Sequence, residues 1–178
     1  MNLTIRRAEI RQIDEIVELF GAVCDALAAA PAVSTGWRRG MYPTREHVVA
    51  DVADGTLFAA ESDCKIVGVA TFDGNIPESY SDFAWRVDAA DGDVLTVHRL
   101  AVHPEFRGLS VARALLDHAE THARTLGKRA IRFDTYHKNV AAAMLYTSCG
   151  YTHVDTGDIR VDPTFGLFEF KLFEKSLD

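Results

Sequence analysis

The sequence predicts a single α/β domain of strands and helices packed in layers, on three observations. Strand and helix signals alternate along the chain with short connections between them. A length of 178 residues is that of one ordinary domain, so residues 1–178 are expected to form one unit. The apolar share of 48% is ample for one core, and no repeat or low-complexity stretch interrupts it.

The elements follow in order. Leu3 to Ala8 reads as a first strand. Ile13, Ile16, Val17, Phe20, Cys24 and Leu27 recur at helical spacing, so a long amphipathic helix is expected, ending near Ala30-Pro31. A second helix starts at Thr44, carries Val48, Val49 and Val52, and stops at Asp54-Gly55. Leu57 to Glu61 and Lys65 to Phe72 form a predicted hairpin turned through Ser62-Asp63, and Val94 to Val102 is the next strand. A helix follows with Ala112, Leu115, Leu116, Ala119, Ala123 and Leu126 on one face. After Gly127, Lys128 to Thr135 is a strand, and the tail supplies Tyr151 to Thr156 and Leu167 to Lys175 around an Asp162-Pro163 turn.

The richest stretch runs from Leu100 to Ala112, where an apolar strand meets a glycine-containing turn and then a helix. Pro104 stops regular pairing, and Arg107-Gly108 leads into a segment whose backbone N–H groups point one way. Unpaired N–H groups at a helix start, reinforced by the macrodipole and a neighbouring arginine, favour a phosphate or pyrophosphate. Neither Gly-Lys-Ser/Thr nor G-x-G-x-x-G is present, so a Mg²⁺-nucleotide P-loop and the dinucleotide fingerprint are both excluded.

Arg107-Gly108-Leu109-Ser110-Val111-Ala112 resembles motif A of the GNAT superfamily of N-acetyltransferases, Arg/Gln-x-x-Gly-x-Gly/Ala, with Ser110 in place of a glycine. The Ser110 N–H can still donate to phosphate, and its hydroxyl is a candidate helix cap. A second segment, Asn139 to Tyr151, resembles the superfamily's Asn-x-x-Ala-x-x-Leu-Tyr-x-x-x-Gly-aromatic run through Asn139, Ala142, Leu145, Tyr146, Gly150 and Tyr151. Asn139 is also a good N-cap, and Gly150 a natural terminator of a short helix. The resemblance covers nearly the whole chain, from about Leu3 to Glu174.

The resemblance implies the GNAT acyl-coenzyme A N-acyltransferase fold: a central mixed, mostly antiparallel sheet with helices on both faces and a splayed parallel strand pair at the cofactor. It further implies acetyl-coenzyme A as cosubstrate, held by the backbone of Leu100, Ala101 and Val102, by the turn Arg107, Gly108, Leu109, Ser110, Val111 and Ala112, and by Asn139. The implied reaction is direct acetyl transfer to the amine of a small molecule or peptide. Tyr146 matches the superfamily's position for protonating the departing thiolate, and a tyrosine hydroxyl stays protonated until a thiolate forms. The base is assigned to His98, which strand alternation puts on one face with Leu100 and Val102 and whose imidazole titrates near neutrality. Asp134 and His137 are reserves. Arg99 or Arg132 facing the acyl end would favour another donor such as succinyl-coenzyme A.

The formal net charge of −7 argues against nucleic acid or an anionic membrane as the main partner and suits a cationic acceptor. Met1 to Arg7 carries charge at once and lacks the apolar stretch of a signal peptide, and no run reaches transmembrane length. Cys24, Cys64 and Cys149 form no C-x-x-C, which suits reduced thiols in the cytoplasm. No metal site is expected, because the seven histidines are scattered and His118/His122 lacks the H-E-x-x-H pattern. A homodimer stays open. Pro31 to Pro43, with Trp37, Arg38, Arg39 and Tyr42, and the acidic, aromatic stretch Asp73 to Asp93 are candidate acceptor loops. The alternative reading is a non-catalytic acyl-coenzyme A sensor or interaction module, against which a tyrosine at the sulfur argues.

Overall fold

The computed structural model describes residues 2–30, 36–162 and 166–178. Seven strands form one sheet in the order β1-β2-β3-β4-β5-β7-β6, where β1 is Thr4–Arg7, β2 Leu57–Ser62, β3 Lys65–Asp73, β4 Val94–Val102, β5 Ala130–Tyr136, β6 Thr152–Asp162 and β7 Gly166–Ser176. Four α-helices accompany it: α1 (Ile13–Ala28), α2 (Arg45–Ala53), α3 (Val111–Thr125) and α4 (Val140–Ser148). The chain divides into two compact units, Met1–Asp73 with Val97–Ala119, and Gly74–Thr96 with Glu120–Asp178. No described helix is long and apolar enough to cross a membrane.

In the first unit β1, β2 and β3 form an antiparallel ladder. The β2–β3 hairpin closes through Asp63 and Cys64, at φ 50° and 61°, while Ser62 pairs with Lys65. The turn is therefore one residue later than Ser62-Asp63, because a two-residue hairpin loop of right-handed twist needs two left-handed residues. Alternation along these strands sorts their side chains. Leu57, Ala59 and Val69 join Ile16, Phe20, Val48, Val52 and Ala101 in one buried cluster beneath α1 and α2. On the other face, Phe58 and Phe72 stack at 4.8 Å, and the His118 ring of α3 lies 5.2 Å from Phe58. Helices thus cover both faces of this part of the sheet.

Along α3, Leu115, Leu116, Ala119 and Ala123 are buried as their spacing predicts and Val111 is buried beside them, whereas Ala112 is half-buried and Leu126 exposed. The helix ends at Thr125, and Leu126 closes its last turn, its N–H donating to the His122 carbonyl at 3.1 Å while its side chain is exposed. On α2, Val48 and Val52 are buried but Val49 points outward, the expected result of a 100° step between neighbours.

In the second unit β4 and β5 run parallel, with Val94, Leu95 and Thr96 opposite Ala130, Ile131 and Arg132. β5 pairs antiparallel with β7 from Ala130–Ser176 to Tyr136–Phe170, and β7 with β6. The predicted Asp162-Pro163 turn falls partly outside the described residues, as Pro163 is not among them. The stretch read as an acceptor loop is instead partly core. Tyr80 is buried with Ile159 and Leu172, Phe83 and Trp85 pack against that cluster, and the Trp85 indole N–H donates to the Tyr80 carbonyl at 2.8 Å. A second clasp holds the same stretch. Buried Glu174 accepts from the Arg86 and Val87 N–H groups at 2.9 and 3.1 Å and from Arg132 Nε at 2.9 Å, while Arg132 lies under Trp85 and donates to the Val87 carbonyl.

Candidate functional site

The turn read as an anion site lies in the first unit. His103 N–H donates to the Val67 carbonyl at 2.9 Å, ending β4 against β3. Pro104–Phe106 forms a 3-10 turn, Gly108 then takes φ 78°, and Ser110 takes φ 64°. The first helical bond of α3 runs from Ala114 N–H to the Ser110 carbonyl at 3.0 Å. By helix geometry the N–H groups of Val111, Ala112 and Arg113 precede that bond and need partners from outside the helix. Left-handed residues in such a turn swing peptide N–H groups into an anion-binding concavity. Arg107, Gly108, Leu109 and Ser110 are all exposed. An N-cap residue ordinarily has extended backbone, so the left-handed Ser110 departs from the cap expected of it. That φ also supplies the physical reason for a glycine at this place in related motifs.

A glycine on β3 brings α3 this close. A Cβ at Gly68 would lie 2.6 Å from Val111 Cγ1, 3.2 Å from the Ala101 carbonyl oxygen and 3.2 Å from Leu115 Cδ1. The start of α3 and the end of β4 are thus seated over a missing side chain.

On β4, Arg99 adopts φ 49° in mid-strand. The alternation that would carry His98 onto one face with Leu100 and Val102 runs through this residue, and a left-handed residue breaks the pleat. The His98 ring is only partly exposed, and its Nε2 lies 3.4 Å from Oδ1 of the buried Asp73 carboxylate at the end of β3. Arg99 turns to α2: its Nε donates to Asp51 Oδ2 at 2.9 Å and its Nη2 to Oδ1 at 2.7 Å, with Nη1 3.5 Å from Tyr42 Oη. Thr71 of β3 donates its hydroxyl to the same carboxylate at 2.7 Å. Burial works against the guanidinium's charge, but Tyr42 and Asp51 outweigh it and hold Arg99 above its usual basicity. Arg132 is likewise committed, to Glu174. Both arginines named for an alternative acyl donor therefore already neutralise carboxylates.

In the second unit, Asn139 caps α4, its Oδ1 accepting from Ala142 N–H at 3.2 Å. Tyr146 is buried on that helix, edge-on to Phe133 at 4.6 Å and to Phe173 at 5.3 Å. Burial, with the Asp134 charge behind it, pushes the Tyr146 phenol well up, and a hydrogen bond with the Thr135 side chain offsets only part of the rise. Asp134 accepts the Tyr80 hydroxyl at 2.7 Å, and His137 Nδ1 lies 3.0 Å from the Glu169 carbonyl. Among the described residues no cluster of His, Cys, Asp or Glu could hold a metal ion.

The stretch Pro31 to Pro43, read from the sequence as a candidate acceptor loop, is described from Gly36 onward; 31–35 lie outside the described residues. Its Trp37 packs edge-on to Phe20 and Tyr42, Tyr42 packs on His47, and Arg39 pairs with Asp25 at 2.8 Å. Sequence reasoning missed Asp51 and Gly68, and read Asp73 as an acceptor-loop carboxylate rather than as the partner of His98. The two missed residues carry a signal: a glycine inside the run Ile66 to Phe72 marks close approach of another backbone or helix, and an aspartate beside Val48 and Val52 sits on a face that should be apolar.

The profile of the Acetyltransferase (GNAT) family matches residues 22–151. No curated protein matches. Among solved structures, a GNAT-family acetyltransferase from Streptococcus agalactiae 2603 is 23% identical, with 98% of this chain and 95% of that one covered at a TM-score of 0.80. The yncA protein of Salmonella typhimurium, solved with its cofactor acetyl-CoA, is 21% identical over 100% of this chain and 95% of that one, at 0.71. The PaiA N-acetyltransferase of Thermoplasma acidophilum, in complex with coenzyme A, is 16% identical over 99% of both chains, at 0.70. At these identities the structures speak for the fold alone, and it is the profile match over most of the sequence that establishes kinship: the chain belongs to the GNAT family of acetyltransferases.

Proposed function

We propose that this chain is an N-acetyltransferase that moves the acetyl group of acetyl-coenzyme A directly onto an amine of a small molecule or peptide. The observation that carries the reading is the turn from Arg107 to Ala112, with two left-handed residues leading into a helix start and an exposed arginine beside it. Its N–H groups and the Arg107 guanidinium take the pyrophosphate. Main-chain atoms of Leu100, Ala101 and Val102 receive the pantetheine arm in the manner of strand addition, and Asn139 completes the cofactor contacts.

In the reaction the amine nitrogen attacks the thioester carbonyl; the C–N bond forms, the C–S bond breaks and coenzyme A leaves as its thiolate. His98 takes the proton that the ammonium must lose, directly or through water, and the Asp73 carboxylate at 3.4 Å stabilises the resulting imidazolium. Tyr146 supplies a proton to the thiolate, and the proton that the acylated nitrogen sheds as the amide forms returns, through water, to the tyrosinate. The place of Tyr146 on α4, in the segment that Asn139 caps, supports this role, and burial keeps the phenol protonated at neutral pH. Three free cysteines support a cytoplasmic setting.

The test is a panel of amines, peptides and antibiotics assayed for thiol release from acetyl-coenzyme A, with calorimetry of cofactor binding beside it. Turnover with at least one amine is expected. Arg107→Glu should lose about 2–4 kcal/mol of cofactor affinity, the scale of a lost charge-assisted contact plus repulsion. Tyr146→Phe should lower kcat roughly 10²-fold at unchanged cofactor affinity. Cofactor binding without thiol release for any acceptor would instead identify a sensor module, and unchanged affinity in Arg107→Glu would remove the turn from the site.

A further inference from the structure

The left-handed residue in β4 has an anchor that the acetyl-transfer reading leaves unexplained. A non-glycine residue at φ 49° pushes its Cβ against its own carbonyl, and such a conformation persists only where the surroundings over-determine it. At Arg99 they do. Both Nε and Nη2 of its guanidinium are bound by Asp51 of α2, at 2.9 and 2.7 Å, in a two-pronged pairing that fixes direction as well as distance. The carboxylate is itself pinned, because Thr71 of β3 donates to its Oδ2 at 2.7 Å and the Asp51 side chain is largely buried. One carboxylate therefore ties α2, β3 and β4 together at the residue immediately before Leu100.

We propose that Asp51 is a positioning residue for the cofactor strand: by gripping the Arg99 guanidinium it holds the left-handed kink of β4 and so aims the backbone of Leu100, Ala101 and Val102 at acetyl-coenzyme A. The proposal rests on the reading of that backbone as the pantetheine site. A regular strand would continue its pleat and ladder through residue 99. The kink instead rotates the peptide planes that follow, and a bulge of this kind re-aims what comes after it. Asp51 touches neither cofactor nor acceptor in this scheme and acts through Arg99 alone.

The test compares Asp51→Asn/Arg99→Gly with Asp51→Asn/Arg99→Ala. Both remove the ion pair without leaving a buried charge behind, and they differ only in the ease with which residue 99 holds a positive φ. Two quantities are read: the backbone amide and carbonyl NMR shifts of Leu100 and Ala101, and the dissociation constant for acetyl-coenzyme A by calorimetry. The expected result is rescue by glycine. The glycine variant keeps the parent's shifts and binds within about threefold of it, while the alanine variant moves those shifts and binds at least about tenfold more weakly. Thermal melts of both confirm that the compared chains are folded. Two variants alike in shifts and affinity would overturn the proposal, since a purely structural ion pair does not distinguish glycine from alanine in this way. A parent protein that binds no acetyl-coenzyme A would overturn the cofactor assignment and the aim ascribed to the kink, while the shift comparison would still decide whether Asp51 holds it.

Discussion

Gly68→Ala should loosen the start of α3 against the sheet, and the size of the effect follows from three distances. The new methyl would meet Val111 Cγ1 at 2.6 Å, well inside the 3.4 Å at which ordinary van der Waals contact begins. Neither neighbour can step aside. Val111 is 1% exposed and Leu115 0%, and the third contact, the Ala101 oxygen, is backbone. The helix start must therefore move by several tenths of an ångström. Overpacking of this kind costs about 1–3 kcal/mol, which in a chain of this size lowers Tm by roughly 2–4 °C per kcal/mol. Acetyl-coenzyme A affinity should fall with it, because the displaced turn carries the N–H groups proposed to meet the cofactor phosphates. The decisive assay is a double-mutant cycle with Val111→Ala, followed by urea unfolding. Val111→Ala alone removes two buried methyl carbons at a cost of about 1.5–2.5 kcal/mol. Combined with Gly68→Ala it removes the worst contact, so the pair should be at least about 1 kcal/mol more stable than the sum of the singles. Strict additivity would refute the claim that this contact governs the seating of α3.

Two further outcomes follow from the same geometry. Ser110→Gly should relieve about 1–2 kcal/mol of left-handed strain against roughly 0.5–1 kcal/mol of added chain entropy, a net gain of up to about 1.5 kcal/mol. Ser110→Ala, which keeps the strain, should show no such gain, and equal Tm values for the two would refute the assignment. Burial against Phe58 and Phe72 lowers the His118 imidazole below its unfolded value of about 6.5, so its neutral form favours the fold. That contribution is complete above pH ~6.5 and is lost as pH falls through the lower folded value, and urea midpoints should show it as an acid-side slope that His118→Leu reduces.

The fold was legible where periodicity and punctuation agree. Thr44, Asn139, Gly127 and Gly150 bound helices that their flanking apolar spacing had already suggested, and β4 matches its predicted limits of Val94 and Val102. The misplacements share a cause. Ser62-Asp63 and Leu126 each lie one step off the turn and the helix end because both are fixed by backbone φ, which residue type only biases. The stretch from Asp73 to Asp93 misled in another way. Its acidic residues suggested solvent, while Tyr80, Phe83 and Trp85 pack inward and Glu174, some ninety positions along the chain, supplies the clasp. No local pattern encodes a partner at that separation. The candidate site divides along the same line: the turn Arg107–Ala112 and the helix of Tyr146 were readable as segments, but Asp51, Asp73 and Gly68 matter only through residues brought to them by the sheet.

Among the described residues four non-glycines have positive φ, and they fall into two kinds. Asp63 and Cys64 are the two central residues of a hairpin, where the turn itself demands that conformation. Arg99 and Ser110 have no such excuse, and they bracket residues 100–109, the stretch assigned to the cofactor. Strain that clusters so is a pointer to function. The two are held differently, and that difference is measurable. Ser110 is exposed and restrained by its backbone, so glycine there should release more strain than it costs in chain entropy. Arg99 is held by its side chain, and Arg99→Gly would leave the Asp51 carboxylate buried with, among the described residues, the Thr71 hydroxyl alone. Breaking one side of such a pair costs about 3–5 kcal/mol, far more than the strain recovered. The same substitution should therefore raise Tm at 110 and lower it at 99, and restoring neutrality with Asp51→Asn should return much of the loss. A rise at both positions would mean that the Asp51–Arg99 pair contributes nothing to holding the strand.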